Sequence, residues 1–254
     1  MVLLLHRGII MKDYKIIDEK YLISTHLSDL GVKNIMSLKP IDIKGDEDYF
    51  VNELPKVLDD IGLDYSSINV TRQVHSNNIA HVNGNGNGDV NFYDETDGLI
   101  GGHGDVLVIK SADCLPVIVY DKVNARIAAV HSGWKGTANS IIKDAIQKMM
   151  ILGSRAEDLK IYVGPHIQKT SFEVMDDVKN VFEKNFKYKD IILKKDEEHY
   201  LIDLGRVVSL DAISMGVKEE NIYVSSLDTV TDESFHSYRR DKKDYGLMYT
   251  LVCI

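Results

Sequence analysis

Two short apolar runs near the middle of the chain, Leu115 to Tyr120 and Ile127 to Val130, are separated by a polar turn around Lys122 to Asn124. Each is too short for a helix and rich in β-branched residues, which predicts the two strands of a hairpin. A simple register sets the start of one strand beside the end of the other, so Cys114 and His131 fall at the same end of the sheet. The small-residue loop Ser132-Gly133-Trp134-Lys135-Gly136 then leads into a helix. The spacing predicts that helix from about Thr137 to Leu152, with Ala138, Ile141, Ile142, Ala145, Ile146 and Met149 on one face and Gly153 as its stop.

Further strands are predicted over Tyr21 to Thr25, Ile68 to Val74, Val106 to Lys110, Leu159 to Val163, Ile222 to Val224 and Met248 to Cys253, the last two closing the sheet. The strand from Ile68 delivers His75 at its end. Phe50, Val51, Leu54, Val57, Leu58 and Ile61 follow helical spacing between Asp46 and Ile61, with Pro55 as the point at which this helix divides or kinks. Val174, Val178, Val181, Phe182 and Phe186 mark a second amphipathic helix, and a third starts at the N-cap Asp203. Helices and strands are interspersed without regular βαβ alternation. This predicts an α+β fold, a single domain over residues 1–254 of mixed β-sheets packed together with flanking helices. The run NGNGNGD, Asn83 to Asp89, mimics the spacing of a calcium loop but lacks its acids, and reads as a flexible glycine-rich loop.

Composition narrows the picture. A formal net charge of −9 argues against a general nucleic-acid or anionic-membrane surface. Only two cysteines, Cys114 and Cys253, imply no disulfide framework and a reducing compartment. The opening MVLLLHRGII carries too short an apolar run for a signal peptide, and no stretch approaches a membrane span, so a cytoplasmic protein is expected. Residues 1–10 read as a candidate upstream extension, because Met11-Lys12-Asp13-Tyr14 is an equally good start.

Among nine histidines, His75 and His131 stand out with Cys114, because each sits at the end of an inferred strand beside small or polar residues. Three N and S donors with a fourth position open suit a catalytic zinc, which polarises a bound water. From spacing alone a buried cysteine with two structural histidines fits as well, and so does a nucleophilic Cys114 with His131 or His75 as base.

Six blocks fall in order along the chain: RQVHS (Arg72 to Ser76), TDGLI (Thr96 to Ile100), ADCLPVIVYD (Ala112 to Asp121), AAVHSGWKGT (Ala128 to Thr137), VGPHIQKTSFEV (Val163 to Val174) and FHSYRRD (Phe235 to Asp241). Together they resemble the laccase-domain family of bacterial proteins, also called polyphenol oxidase or peptidoglycan editing factor, from about Ile68 to the C-terminus. The resemblance implies a zinc ion on His75, Cys114 and His131. It implies phosphorolysis of purine nucleosides (adenosine, inosine, methylthioadenosine) together with deamination of adenosine. A multicopper centre is poorly supported, since no paired HxH histidines occur.

On that resemblance, Asp97, Asp113 and Glu173 are the candidate catalytic carboxylates that carry protons. Lys135, the amides of Gly136 and Thr137 at the helix start, Arg72 and Arg239 are the candidates for holding nucleoside and phosphate. An Arg239–Arg240 pair beside Tyr238 points to a pocket role. The alternatives are a cysteine-type hydrolase or peptidoglycan-editing enzyme using Cys114, and a zinc-holding binding protein with little turnover. The chain departs from the family pattern at Ser24 to Asp29, where an arginine and two glycines of an STRxGG-like segment are missing, and at Ser76 and Leu247.

Overall fold

The computed structural model describes residues 9–10, 12–82, 86–188 and 190–254. The candidate extension therefore lies outside the described residues apart from Ile9 and Ile10, as do positions 83–85 of the glycine-rich loop. The fold is α+β, with three open sheets. The largest has the spatial order β1 (Ile9–Ile10), β2 (Tyr14–Ile17), β3 (Tyr21–Ser24), β4 (Lys33–Ser37), β17 (Met248–Cys253), β9 (Asp105–Ser111), β5 (Ser67–Thr71) and β7 (Asp89–Tyr93). The second runs β16 (Ile222–Val224), β12 (Lys160–Val163), β10 (Leu115–Asp121), β11 (Arg126–Ser132), β8 (Gly98–Gly101) and β6 (Ile79–His81). A small third sheet holds β13 (Glu173–Val174), β15 (Tyr200–Ile202) and β14 (Ile192–Lys194). Both large sheets are mixed, because β5 pairs in parallel with β7 and β9, and β12 with β16, among antiparallel neighbours.

The two large sheets pack face to face. Leu107, Ile109 and Val252 of the first meet Leu99, Ile118, Tyr120, Ile127 and Ala129 of the second in one buried cluster. On the outer face of the first sheet, Phe50, Leu54 and Leu58 cover Ile68, Val70, Val106 and Val108. On the outer face of the second, Val117, Val119, Ala128 and Val130 meet Ile141, Ala145, Ile146, Val207 and Val208. The strand β10 is buried on both sides, which explains its continuous apolar run: Val117 and Val119 face one cluster, Ile118 and Tyr120 the other.

The hairpin has the register that the apolar runs predict, with Leu115 opposite Ser132 and Pro116 opposite His131. The helix predicted over Asp46 to Ile61 is divided, into α2 (Asp48–Asn52) and α3 (Leu54–Asp60), with Pro55 in the first turn of the second, where its missing N–H costs nothing. Asp203 caps the helix Leu204–Ser214, accepting from the Arg206 amide at 2.8 Å.

Three expectations are corrected. The helix after His131 is two helices, Trp134–Ala138 and Ile141–Ile151, broken where Ser140 adopts a left-handed φ of 59° and Asn77 donates to the Asn139 carbonyl at 2.7 Å. The strand from Ile68 ends at Thr71 rather than Val74, so His75 sits on the crossover from the first large sheet to the second. Met248–Cys253 lies inside the first sheet, between β4 and β9, rather than closing it. The strands β4, β7 and β8 escape the apolar pattern because they are short or interrupted by polar residues and glycine.

Candidate metal centre and its cavity

Cys114 immediately precedes β10, and His131 is the penultimate residue of β11, so the antiparallel register puts the two side by side. His75 arrives from the crossover at a φ of 60°, a left-handed conformation in which histidine is uncommon. One donor atom from each of the three lies within 4.8 Å of the others, with Cys114 Sγ 3.9 Å from His75 Nε2. Among the described residues this is the one cluster of three such side chains able to hold a metal ion.

Asp97 holds the arrangement together. It stands just before β8, is fully buried, and accepts the Nδ1 proton of His131 at 2.9 Å. It also accepts the backbone amides of Val74 (3.2 Å), His75 (3.0 Å) and Ser76 (2.7 Å), and the Ser76 hydroxyl at 2.7 Å. A nitrogen facing a carboxylate must donate, so His131 is left with Nε2 as its lone-pair atom towards the cluster. Burial alone would raise the carboxyl's pKa, yet the hydrogen bonds from His131 and Ser76 hold it down at about 2. Asp97 thus satisfies three successive amides, Val74 to Ser76, on the crossover beyond β5.

Cys114 and His131 ionise as a pair. Burial opposes charge on both, but each favours the other's charge, which lowers the thiol to about 6 and raises the imidazole to about 9. Room for the cluster depends on Gly133: a Cβ there would stand 2.6 Å from His75 Cδ2 and 3.2 Å from Cys114 Sγ. Two imidazoles and an anionic sulfur, one imidazole fixed by a carboxylate, form a donor set that fits a metal of the zinc class.

The cluster opens into a cavity of about 1200 Å³. One wall is apolar, with Phe172, Val174, Met175, Val178 and Leu204, and the other is charged, with Glu47, Arg72, Asp94 and Lys110. Val74 (53% exposed), Met175 (54%) and Tyr238 (59%) are exposed large hydrophobic residues among those that line the cavity.

Of the residues singled out in the sequence, Arg72, Asp113, Glu173 and Arg239 line this cavity with the three donors. Arg72 is clamped by Glu47 through Nε and Nη2, both at 2.7 Å, and by Asp94 through Nη1 at 2.7 Å. The Asp113 carboxylate is turned to the C-terminal segment, accepting from the Thr229 and Ser237 hydroxyls (2.6 and 3.1 Å) and the Arg239 amide (2.6 Å). It thereby locks the turn that presents Cys114, at a left-handed φ of 82°. Glu173 is ion-paired to Lys195. Arg239 donates to the Glu173 carbonyl at 2.8 Å and lies over the Phe172 ring.

Lys135, Gly136 and Thr137 are not among the lining residues: Lys135 is exposed, and the Thr137 hydroxyl is bonded to Ser132 at 2.8 Å. Arg240 does not line the cavity either. Its guanidinium gathers the carbonyls of Thr229, Val230, Asp232 and Phe235 and pairs with Asp241. The altered segment Ser24 to Asp29 is also away from it: Ser24 caps a short helix and His26 stacks on Tyr223 with centroids 4.6 Å apart.

Sequence reasoning missed Lys110 and Glu95, which line the cavity. Lys110 reads as an ordinary strand end and Glu95 as a turn residue, so one sequence carries no signal for either.

Two packed mixed sheets with an imidazole–thiol cluster able to hold a metal ion, lining a cavity large enough for a small molecule, define the class of this protein. Residues 20–254 match the family described as multi-copper polyphenol oxidoreductase laccase, and the chain belongs to that family. A Bacteroides thetaiotaomicron protein named purine nucleoside phosphorylase is 37% identical over 139 residues, 53% of this chain and 51% of that protein, so the chain matches about half of its length. A Borreliella burgdorferi protein of the same name is 30% identical over 230 residues, covering 87% of this chain and 93% of that one. The fold resembles that of the Bacillus licheniformis hypothetical protein YfiH, with a TM-score of 0.84 at 24% identity over 96% of this chain and all (100%) of that one. YlmD from Geobacillus stearothermophilus has the same TM-score, 0.84, at 20% identity, covering 95% and 98%.

Proposed function

We propose that this chain is a zinc-dependent purine nucleoside phosphorylase acting on adenosine, inosine or methylthioadenosine. The observation that carries the reading is the opening of His75, Cys114 and His131 into a cavity with one apolar and one charged wall. The names of its relatives point the same way. His75, Cys114 and His131 would hold the zinc. When bound, zinc supplies Lewis-acid polarisation of an oxygen or nitrogen atom presented to it.

The rest falls to the chain's own residues. Phe172, Val174, Met175 and Tyr238 offer apolar and aromatic surface for a planar base, and Arg239 over Phe172 adds a donor at its edge. Arg72 and Lys110 on the charged wall, set among Glu47 and Asp94, supply the cations that would favour phosphate as the nucleophile at the sugar carbon. Asp97 orients His131 and the His75 backbone and has no free oxygen facing the cavity, while Asp113 positions the Cys114 turn; both are positioning residues in this reading. A reducing, cytoplasmic setting belongs to the proposal, because Cys114 must remain a thiolate.

Deamination of adenosine is a second activity of the same site in this reading. It calls for a carboxylate free to carry protons, and Glu95 lines the cavity with no hydrogen-bonded or ion-paired partner for its carboxylate among the described residues.

The rival is a cysteine nucleophile, since Asp97, His131 and Cys114 also stand in the order of a nucleophile triad. A second imidazole on the same sulfur, from His75, favours the metal. Incubation of purified protein with each nucleoside, with and without phosphate, tests the proposal. Release of free base only with phosphate, lost in Cys114→Ala together with about one zinc per chain, is the expected outcome. A metal-free protein that turns over no nucleoside and whose Cys114 is trapped by electrophiles would overturn it.

A further inference from the structure

The cavity is lined by three lysine or arginine side chains, Arg72, Lys110 and Arg239, and their partners differ. Arg72 has three of its N–H groups taken by two carboxylates. Arg239 is bound to a carbonyl and stacked on the apolar wall. The Lys110 ammonium has no hydrogen-bonded or ion-paired partner among the described residues, only the face of Phe50 at 5.9 Å. Glu47 and Arg72 both face it, but both oxygens of Glu47 are already held by Arg72.

Lys110 is also held in place. It ends the strand interior of β9 opposite Tyr249, and the Gln73 side chain brackets its backbone, accepting from its amide and donating to its carbonyl, both at 2.7 Å. Its side chain leaves the sheet on the face that carries Val106 and Val108, towards α2. Lys110 is half-buried; that burial lowers its pKa against the pull of Glu47, whose oxygens are committed to Arg72, so a further anion beside the ammonium would relieve a standing cost.

We infer that Lys110, together with the N–H groups of Arg72 left free by Glu47 and Asp94, binds the phosphate oxyanion in this cavity. The role rests on the phosphorolysis reading but assigns the anion to a residue outside the loop after His131. Lys135, which that loop offers, is exposed and off the cavity. The shared chemistry is a tetrahedral oxyanion, as the free ion or as the phosphate of a nucleoside monophosphate.

The test is a titration of the metal-loaded protein with inorganic phosphate, read through the fluorescence of Trp134, the sole tryptophan and a cavity-lining residue. A parallel titration uses adenosine 5′-monophosphate. Lys110→Met is expected to weaken phosphate binding at least about tenfold, as loss of a charge-assisted contact does, and Lys110→Arg to restore most of it. The Michaelis constant for phosphate should rise in Lys110→Met with that for nucleoside little changed, and thermal melts confirm that the variants are folded. Unchanged affinity for both anions in a folded Lys110→Met, or binding of neither by the parent protein, overturns the inference; a loss confined to the monophosphate supports the site with a nucleoside monophosphate as its source. A parent protein that binds phosphate through Lys110 yet releases no free base would sink the phosphorylase reading and leave the anion site standing.

Discussion

Oδ1 of Asp97 lies 2.9 Å from Nδ1 of His131, and the same oxygen accepts the backbone N–H of His75 at 3.0 Å. One buried carboxylate thus orients one metal-donor ring and fixes the backbone of the other donor residue. His75 lies on the crossover between the two large sheets and His131 within β11 of the second, so this carboxylate ties the crossover to the second sheet at the site. Asp97→Asn keeps the volume but cannot accept from both partners as a charged group. Metal affinity is expected to fall about 10–100-fold, measured by competition with a chromogenic chelator; an unchanged affinity would contradict the orienting role.

Gly133 tests the packing of the same centre. Its backbone φ of −68° is open to any residue, so only the space at Cβ is at issue. Gly133→Ala places a methyl 2.6 Å from His75 Cδ2, and the imidazole has to move away from Cys114. The purified variant should carry well under one metal per chain by elemental analysis, and full occupancy would refute the steric argument.

The neighbouring arginines should part company. Arg240→Ala strips donors from four loop carbonyls and is expected to destabilise the fold by about 1–3 kcal/mol, read from the urea midpoint. Arg239→Ala should leave the midpoint within about 0.5 kcal/mol while lowering nucleoside turnover. Equal effects of the two on both measurements would mean that the division between loop brace and cavity residue is wrong.

The two cysteines should differ in reactivity. Cys114, facing His131 and His75, is lowered to about 6, whereas burial and the nearby Asp105 push Cys253 up to about 11. In chelator-stripped protein at neutral pH, iodoacetamide should modify Cys114 rapidly and spare Cys253, as mapped by peptide mass. Adding zinc should protect Cys114; alkylation at the same rate with zinc present would argue against Cys114 as a ligand.

By itself the sequence determined the hairpin, its register, and the pairing of Cys114 with His131 at one end, because a two-sided buried strand leaves an apolar run that no helix of that length explains. It determined the cap at Asp203 and, through the resemblance of its blocks, the family. Tertiary structure decided the rest. His75 joins the cluster through a crossover turn whose conformation is set by amides bonding to Asp97, a contact across 22 residues that periodicity cannot register. Lys110 and Lys135 look alike as lysines in a string, yet one is half-buried at the cavity with no ion-paired partner among the described residues and the other is exposed away from it. Local spacing fixes which face of an element a residue occupies. Which partners reach that face, and which charges they leave unpaired, follows only from how the two sheets pack.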